Sequence, residues 1–142
     1  MQKGISFYPL FASRICCVLS RANPLSEKKS IAIEDLMEEN IIVCTSGALP
    51  SVVAGIQSRT SGMFAYSKHH YCDEISVALS LVRAGYGFCI LPDSRPAPVP
   101  DLAYVPLEGY DPLPCGIFVK ESRKQEELIR SFTALFPVSA KL

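Results

Sequence analysis

Three short runs in this chain are apolar at successive positions, and stretches with helical spacing separate them. The runs are Ile-Cys-Cys-Val-Leu at 15–19, Ile-Ile-Val-Cys at 41–44 and Phe-Cys-Ile-Leu at 88–91. A strand covered on both faces reads this way, whereas a strand with one wet face alternates. Ile33, Leu36 and Met37 share one face of a short helix predicted over 33–39. Pro50, suited to a first helical turn, opens a helix that carries Val52, Val53 and Ile56 and ends by Gly62. Asp73 is expected to cap the next helix, where Ile75, Ala78, Leu79 and Val82 follow the i, i+3, i+4, i+7 pattern. Val77, Leu81 and Ala84 widen that stripe, which predicts burial on more than one side. Gly85 suits the left-handed position after the last turn.

Strands are predicted at 5–10, 14–19, 41–44, 63–68, 87–91, 102–107 and 116–120, with a turn between the first two near Ala12 and Ser13. Pro96, Pro98 and Pro100 make 95–101 a stiff, extended surface connection. Ser122 and Gln125 have capping-box spacing before a last helix whose Leu128, Ile129, Phe132, Leu135 and Phe136 share a face, and Pro137 ends it. Strands alternating with helices predict an α/β fold: a mostly parallel sheet, helices on both faces, and right-handed crossovers.

Charge narrows the function. Fourteen Lys and Arg balance fourteen Asp and Glu over 142 residues. A net charge of zero gives no electrostatic reason to bind nucleic acid or an anionic membrane through this chain. No apolar stretch is long enough for a transmembrane helix. The apolar N-terminal segment faintly resembles an export signal, but Arg14 interrupts it and no small-x-small site follows. Six cysteines show no C-x-x-C spacing, and Cys16, Cys17, Cys44 and Cys89 lie inside apolar runs as small hydrophobes. That pattern fits a reducing, cytoplasmic compartment.

Several strings resemble the effector-binding domain of LysR-type transcription regulators. Arg14-Ile-Cys-Cys-Val-Leu-Ser-Arg-Ala-Asn-Pro-Leu-Ser26 is similar to that family's crossover strand and the "HPLA" segment after it, with Asn23 where His is usual. Ile31-Ala-Ile-Glu-Asp-Leu36 resembles a "v-x-l-x-D-L" turn. Ala78-Leu-Ser-Leu-Val-Arg-Ala-Gly-Tyr-Gly-Phe-Cys-Ile-Leu-Pro92 resembles the "lVaaGlGialLP" element, and Leu102-Ala-Tyr-Val-Pro-Leu107 the strand returning to the first lobe. The resemblance implies a two-lobed fold like that of type 2 periplasmic binding proteins, with the first lobe incomplete. It assigns 1–20 to the end of the first lobe and the crossover strand, 21–105 to the second lobe, and 106–142 to returning strands and a last helix. It implies a sensor of a small-molecule effector rather than an enzyme, with no cofactor. The family's winged helix-turn-helix and first βαβ units find no counterpart here, so DNA contact and half of the ligand cleft are expected outside this chain. The uncovered faces of 5–10 and 128–136 are expected to promote association between copies.

In open α/β sheets ligands bind beyond the carboxyl ends of the strands. Three such ends are candidates. Thr45, Ser46 and Gly47 offer hydroxyls and backbone N–H groups to a small anionic metabolite, or merely cap a helix. Tyr66 and Ser67 end the strand predicted at 63–68. Leu91 leads into Pro92 and Asp93. His69 and His70, adjacent on an extended segment, point to opposite faces and are poor partners for one metal ion. Cys72 as a redox sensor would need a lowered pKa. Two other classes remain open: a free-standing solute-binding protein of the same fold, and a small cytosolic enzyme using Cys72 or His70.

Overall fold

The computed structural model describes residues 3–95, 98–121 and 126–136. The chain divides into two compact units: Arg14–Asp111, and a smaller one made of Met1–Ser13 with Pro112–Leu142.

The larger unit is built on β2 (Ile15–Ser20), β3 (Ile41–Cys44), β4 (His69–Cys72), β5 (Cys89–Pro92) and β6 (Leu102–Pro106); β1 (Ile5–Ser13) belongs to the smaller unit. β2 lies antiparallel between β5 and β6, and β3 pairs with β4 in parallel. A parallel bridge from Ile41 to Phe88 joins the two groups, and another from Ile31 to Leu107 extends the far edge. The order is therefore β4-β3-β5-β2-β6, with β2 alone running against the other four. The three apolar runs are three of these strands. Ile15, Cys16, Cys17, Val18 and Leu19 are all buried, as are all four residues of β3 and Phe88 through Leu91.

Two helices cover the sheet, α1 (Ser51–Ser61) and α2 (Ile75–Arg83). From β3, α1 leads outward to β4; from β4, α2 leads back across β3 to β5. Right-handed crossovers put two such helices on opposite faces. Side chains agree. The Phe64 ring, just after α1, lies tilted with its centroid 5.7 Å from that of Phe88, while Ile75 and Leu79 of α2 line one cavity with Leu91 and Tyr104. Register places Leu91 opposite Cys16 and Tyr104 opposite Val18. Those four share one face, and Phe88, an odd number of residues from Leu91, lies on the other.

The resembling motifs have local causes. Asn23 accepts from the Leu25 N–H at 3.0 Å, capping a 3-10 turn at Pro24–Glu27, and its amide donates to Glu39. Asp35 accepts from the Ala32 N–H and pairs with Lys28 at 3.0 Å, holding a second turn at Ile33–Leu36. That turn is all that forms of the helix expected over 33–39. Gly85 takes φ +85°, and Gly87 takes φ +149° where a Cβ would run into the Asn40 carbonyl. Both backbone conformations favour glycine.

Three other expectations fail. The strand predicted at 63–68 does not form. Residues 62–64 turn, Tyr66–Lys68 is a 3-10 turn, and the strand is His69–Cys72. Phe64 turns inward against Phe88, which consumes the residues that the apolar pattern offered to a strand. Asp73 does not cap α2, because the cap position falls on Glu74 and no side chain bonds there. Burial of α2 is one-sided: Ala78 and Val82 are buried, while Val77 is 42% exposed and Ala84 is exposed.

The smaller unit pairs β1 (Ile5–Ser13) antiparallel with β7 (Leu113–Lys120) and adds α3 (Glu126–Thr133). β1 runs through Ala12 and Ser13, so the expected turn there is absent, and a single residue, Arg14, separates it from β2. Ile129 is buried, whereas Leu128, Phe132 and Leu135 are 64%, 42% and 76% exposed. Ser122, Gln125, Pro96 and Pro137, expected to cap, stiffen or stop elements, lie outside the described residues.

Candidate functional site

Beyond the carboxyl ends of β3, β4 and β5 the larger unit forms a half-open cavity of about 290 Å³. Ala48, Leu49 and Pro50, between β3 and α1, form one wall. Ile75 and Leu79 of α2 form another. Leu91, Pro92, Ser94, Arg95 and Tyr104 close it, with Asp93 behind Arg95 rather than on the wall. The space opens because β3 and β5 part after the Ile42–Phe88 hydrogen bond of 2.8 Å. At Cys44 the missing neighbour is replaced by a side chain. Gln57 of α1 accepts from the Cys44 N–H and donates to the Cys44 carbonyl, both at 2.8 Å. Gln57 is buried, so these two bonds satisfy backbone groups that would otherwise be stranded.

The cavity is apolar on most sides and charged at one. Asp93 and Arg95 follow β5 two residues apart, with the Ser94 N–H turned back onto the Pro92 carbonyl at 3.1 Å, and their side chains pair. Arg95 Nε donates to Asp93 Oδ1 at 2.7 Å, and Nη2 to Oδ2 at 2.9 Å. The guanidinium also lies 3.9 Å over the Tyr104 ring. The hydrogen bonds from Arg95 hold the Asp93 carboxyl below its usual value, and those to Asp93 hold Arg95 above its own. Burial, first, and the nearby Cys89 thiol raise the Tyr104 phenol. With the Nε–Nη2 edge of Arg95 on Asp93, the guanidinium stacked on Tyr104 at the edge of an apolar space has its remaining N–H groups to offer a small organic acid.

Of the residues expected from sequence, Leu91 lies on the cavity wall. Thr45, Ser46 and Gly47 precede the wall residue Ala48 but do not line it. The Thr45 hydroxyl donates to the Cys72 carbonyl at 3.1 Å, and the Ser46 hydroxyl accepts from the Ala48 N–H at 3.1 Å. α1 begins only at Ser51, so this loop is not its first turn. Tyr66 and Ser67 are exposed on the 3-10 turn, away from the wall, and the Tyr66 ring packs near His69 and Tyr71. Sequence reasoning missed Ile75, Leu79, Arg95 and Tyr104. Two signals were present: the Asp-x-Arg spacing after β5, and the first turn of the helix after β4.

The thiol and imidazole candidates have structural roles. Cys72 stands beside Cys44 in the β3–β4 register, and burial together with that thiol pushes its pKa up to about 11. The lowered pKa that a redox sensor needs is contradicted. His69 binds the Tyr71 hydroxyl at 2.9 Å and the Ser61 carbonyl at 2.9 Å, while His70 packs against Tyr86 on the other face.

The LysR substrate binding domain model matches residues 1–137. The chain belongs to the LysR substrate-binding domain family. Solved structures agree. The BenM effector binding domain with its effector benzoate is 25% identical at a TM-score of 0.67, over 95% of this chain and 66% of that one. HinK, a LysR family regulator from Pseudomonas aeruginosa, is 15% identical at 0.68, over 94% and 48%. CbnR, another LysR family regulator, is 18% identical at 0.65, over 94% and 47%. The chain thus spans about half to two thirds of the structures it matches, and no curated protein sequence matches it. The expected fold, that of type 2 periplasmic binding proteins, is the fold of this LysR domain. Among the described residues no helix is long and apolar enough to cross a membrane.

Proposed function

We propose that this chain senses a small anionic metabolite as the effector-binding part of a LysR-type transcription regulator, and that the cavity beyond β3, β4 and β5 holds the effector. The carrying observation is the arrangement of Arg95 over Tyr104 at the edge of an otherwise apolar space. About 290 Å³ is at the bottom of the usual range for small-molecule sites, roughly 300–1,000 Å³, which favours a compact ligand. The BenM domain, described with benzoate, is similar enough to make a compact aromatic or branched carboxylate the first class to try.

In this reading Leu91 touches the ligand and the Thr45-Ser46-Gly47 loop leads into the wall residue Ala48, whereas Tyr66 and Ser67, before the amino end of β4, take no part. The larger unit, Arg14–Asp111, contains the second lobe assigned to 21–105 together with the crossover strand, and the smaller holds the rest of the segments assigned to 1–20 and 106–142. The chain senses rather than catalyses, works in the cytoplasm, and reaches DNA through another part of the regulator. Exposed Phe118, Leu128 and Leu135 in the smaller unit support self-association.

Calorimetry on the chain with a panel of small carboxylic acids tests the cavity. Ile75→Trp, which fills it from α2, is expected to abolish binding of any acid found while the melting temperature holds. Undiminished binding by that variant contradicts the proposal.

A further inference from the structure

The cavity's one cation already has an anion on it. Asp93 holds the Nε–Nη2 edge of Arg95 in a two-pronged pair, both side chains are partly buried, and Tyr104 fixes the guanidinium plane from below. We infer that Asp93 is a built-in competitor for the ligand's carboxylate on Arg95. In that role it sets the affinity of the site and restricts it to monocarboxylates. This rests on the cavity reading above.

Three physical points carry it. The Asp93–Arg95 pair is neutral as a unit, so the cavity has little net attraction for an anion even though it contains a cation. A guanidinium can serve two carboxylates, side-on and end-on, but the two then repel across a short distance in a poorly hydrated place. A second negative charge on the ligand would meet the apolar walls of Leu49, Ile75, Leu79 and Leu91 beside the already paired Arg95, with no second cation among the lining residues. A monocarboxylate avoids that. Its carboxylate takes the free edge of Arg95 or displaces Asp93, and its apolar body rests against Leu79, Leu91 and the Tyr104 ring.

Removing the charge of Asp93 while keeping its acceptor therefore strengthens binding. Asp93→Asn retains an oxygen for Arg95 Nε and leaves the cation uncompensated. The test uses benzoate and its neutral counterpart benzamide, titrated into the 142-residue chain and its variants by calorimetry, with melting temperatures recorded alongside. Benzoate is expected to bind Asp93→Asn about threefold or more tightly than the parent, the scale of a partly exposed charge pair. Arg95→Gln is expected to weaken benzoate about tenfold or more, as for loss of a charged hydrogen bond. The double variant should behave as Arg95→Gln does, and Arg95→Lys should recover part of the affinity. Benzamide should not distinguish parent from Asp93→Asn. Unchanged or weaker benzoate binding by Asp93→Asn overturns the inference, as does failure of benzoate to bind either form. Should Ile75→Trp block benzoate while neither Asp93→Asn nor Arg95→Gln alters it, the cavity reading stands and the role of Asp93 falls. Should Ile75→Trp leave benzoate binding intact, the cavity reading itself fails.

Discussion

At the residue scale, buried polar groups decide more than their number suggests. Gln57 replaces a strand at the point where the sheet splits, bonding both backbone groups of Cys44. Gln57→Leu keeps the volume and strands a buried donor and acceptor. The expected loss is about 2–4 kcal/mol in urea unfolding, from a penalty of roughly 1–3 kcal/mol per unsatisfied group. A loss below about 0.5 kcal/mol, the size of a neutral surface change, would contradict the role given to it. The Asp93–Arg95 pair adds a pH signature. Arg95 lowers the Asp93 pKa in the folded protein relative to its ordinary value of 3.8. The pair's stabilisation is therefore complete above that ordinary value and disappears as pH falls through the lower, folded one. Melting temperatures of the parent and Asp93→Asn should differ at pH 6 and converge as pH falls progressively below 3.8; a constant difference would refute the linkage. Cys72, raised to about 11, is a thiol at neutral pH. Mass spectrometry should show it alkylated by iodoacetamide more slowly at pH 8 than free cysteine, because the thiolate is the reactive form.

Elements were legible where one force dominates. The runs at 15–19, 41–44 and 88–91 became buried strands because covering both faces of a strand demands apolar residues throughout. Gly85 ended α2 in the left-handed conformation because few other residues fit there. Reading failed where two elements compete for one apolar residue. Met63 and Phe64 look like the start of a strand, but Phe64 is worth more packed on Phe88, and the strand starts five residues later at His69. Phe64→Ala should cost about 3–5 kcal/mol, as for other buried aromatics, and should loosen the Tyr66–Lys68 turn. Faster amide exchange at residues 66–72 than at β2 in that variant would show it, and uniform exchange would count against it. The site was half legible. Strand ends pointed to Leu91, but the wall residues Ile75 and Leu79 read as ordinary helix core. Arg95 read as a surface residue because the proline-rich segment after it hides that its partner is two residues back.

At the scale of the whole molecule, the described residues form an α/β unit with a cavity at its strand ends, and a smaller unit of two strands and a helix. A two-stranded ribbon is marginal alone, and its exposed Phe118, Leu128 and Leu135 leave apolar area uncovered. Sedimentation velocity is expected to show concentration-dependent association, reduced by Leu128→Lys with Leu135→Lys. A monomer at every concentration would remove self-association from the function proposed here. The most direct test of the central claim is a crystal structure of the chain grown with the tightest-binding acid of the carboxylate panel. Density for the acid is expected among Leu49, Ile75, Leu79, Leu91 and Tyr104, with its carboxylate on Arg95. An empty cavity with the acid bound elsewhere on the chain would contradict it.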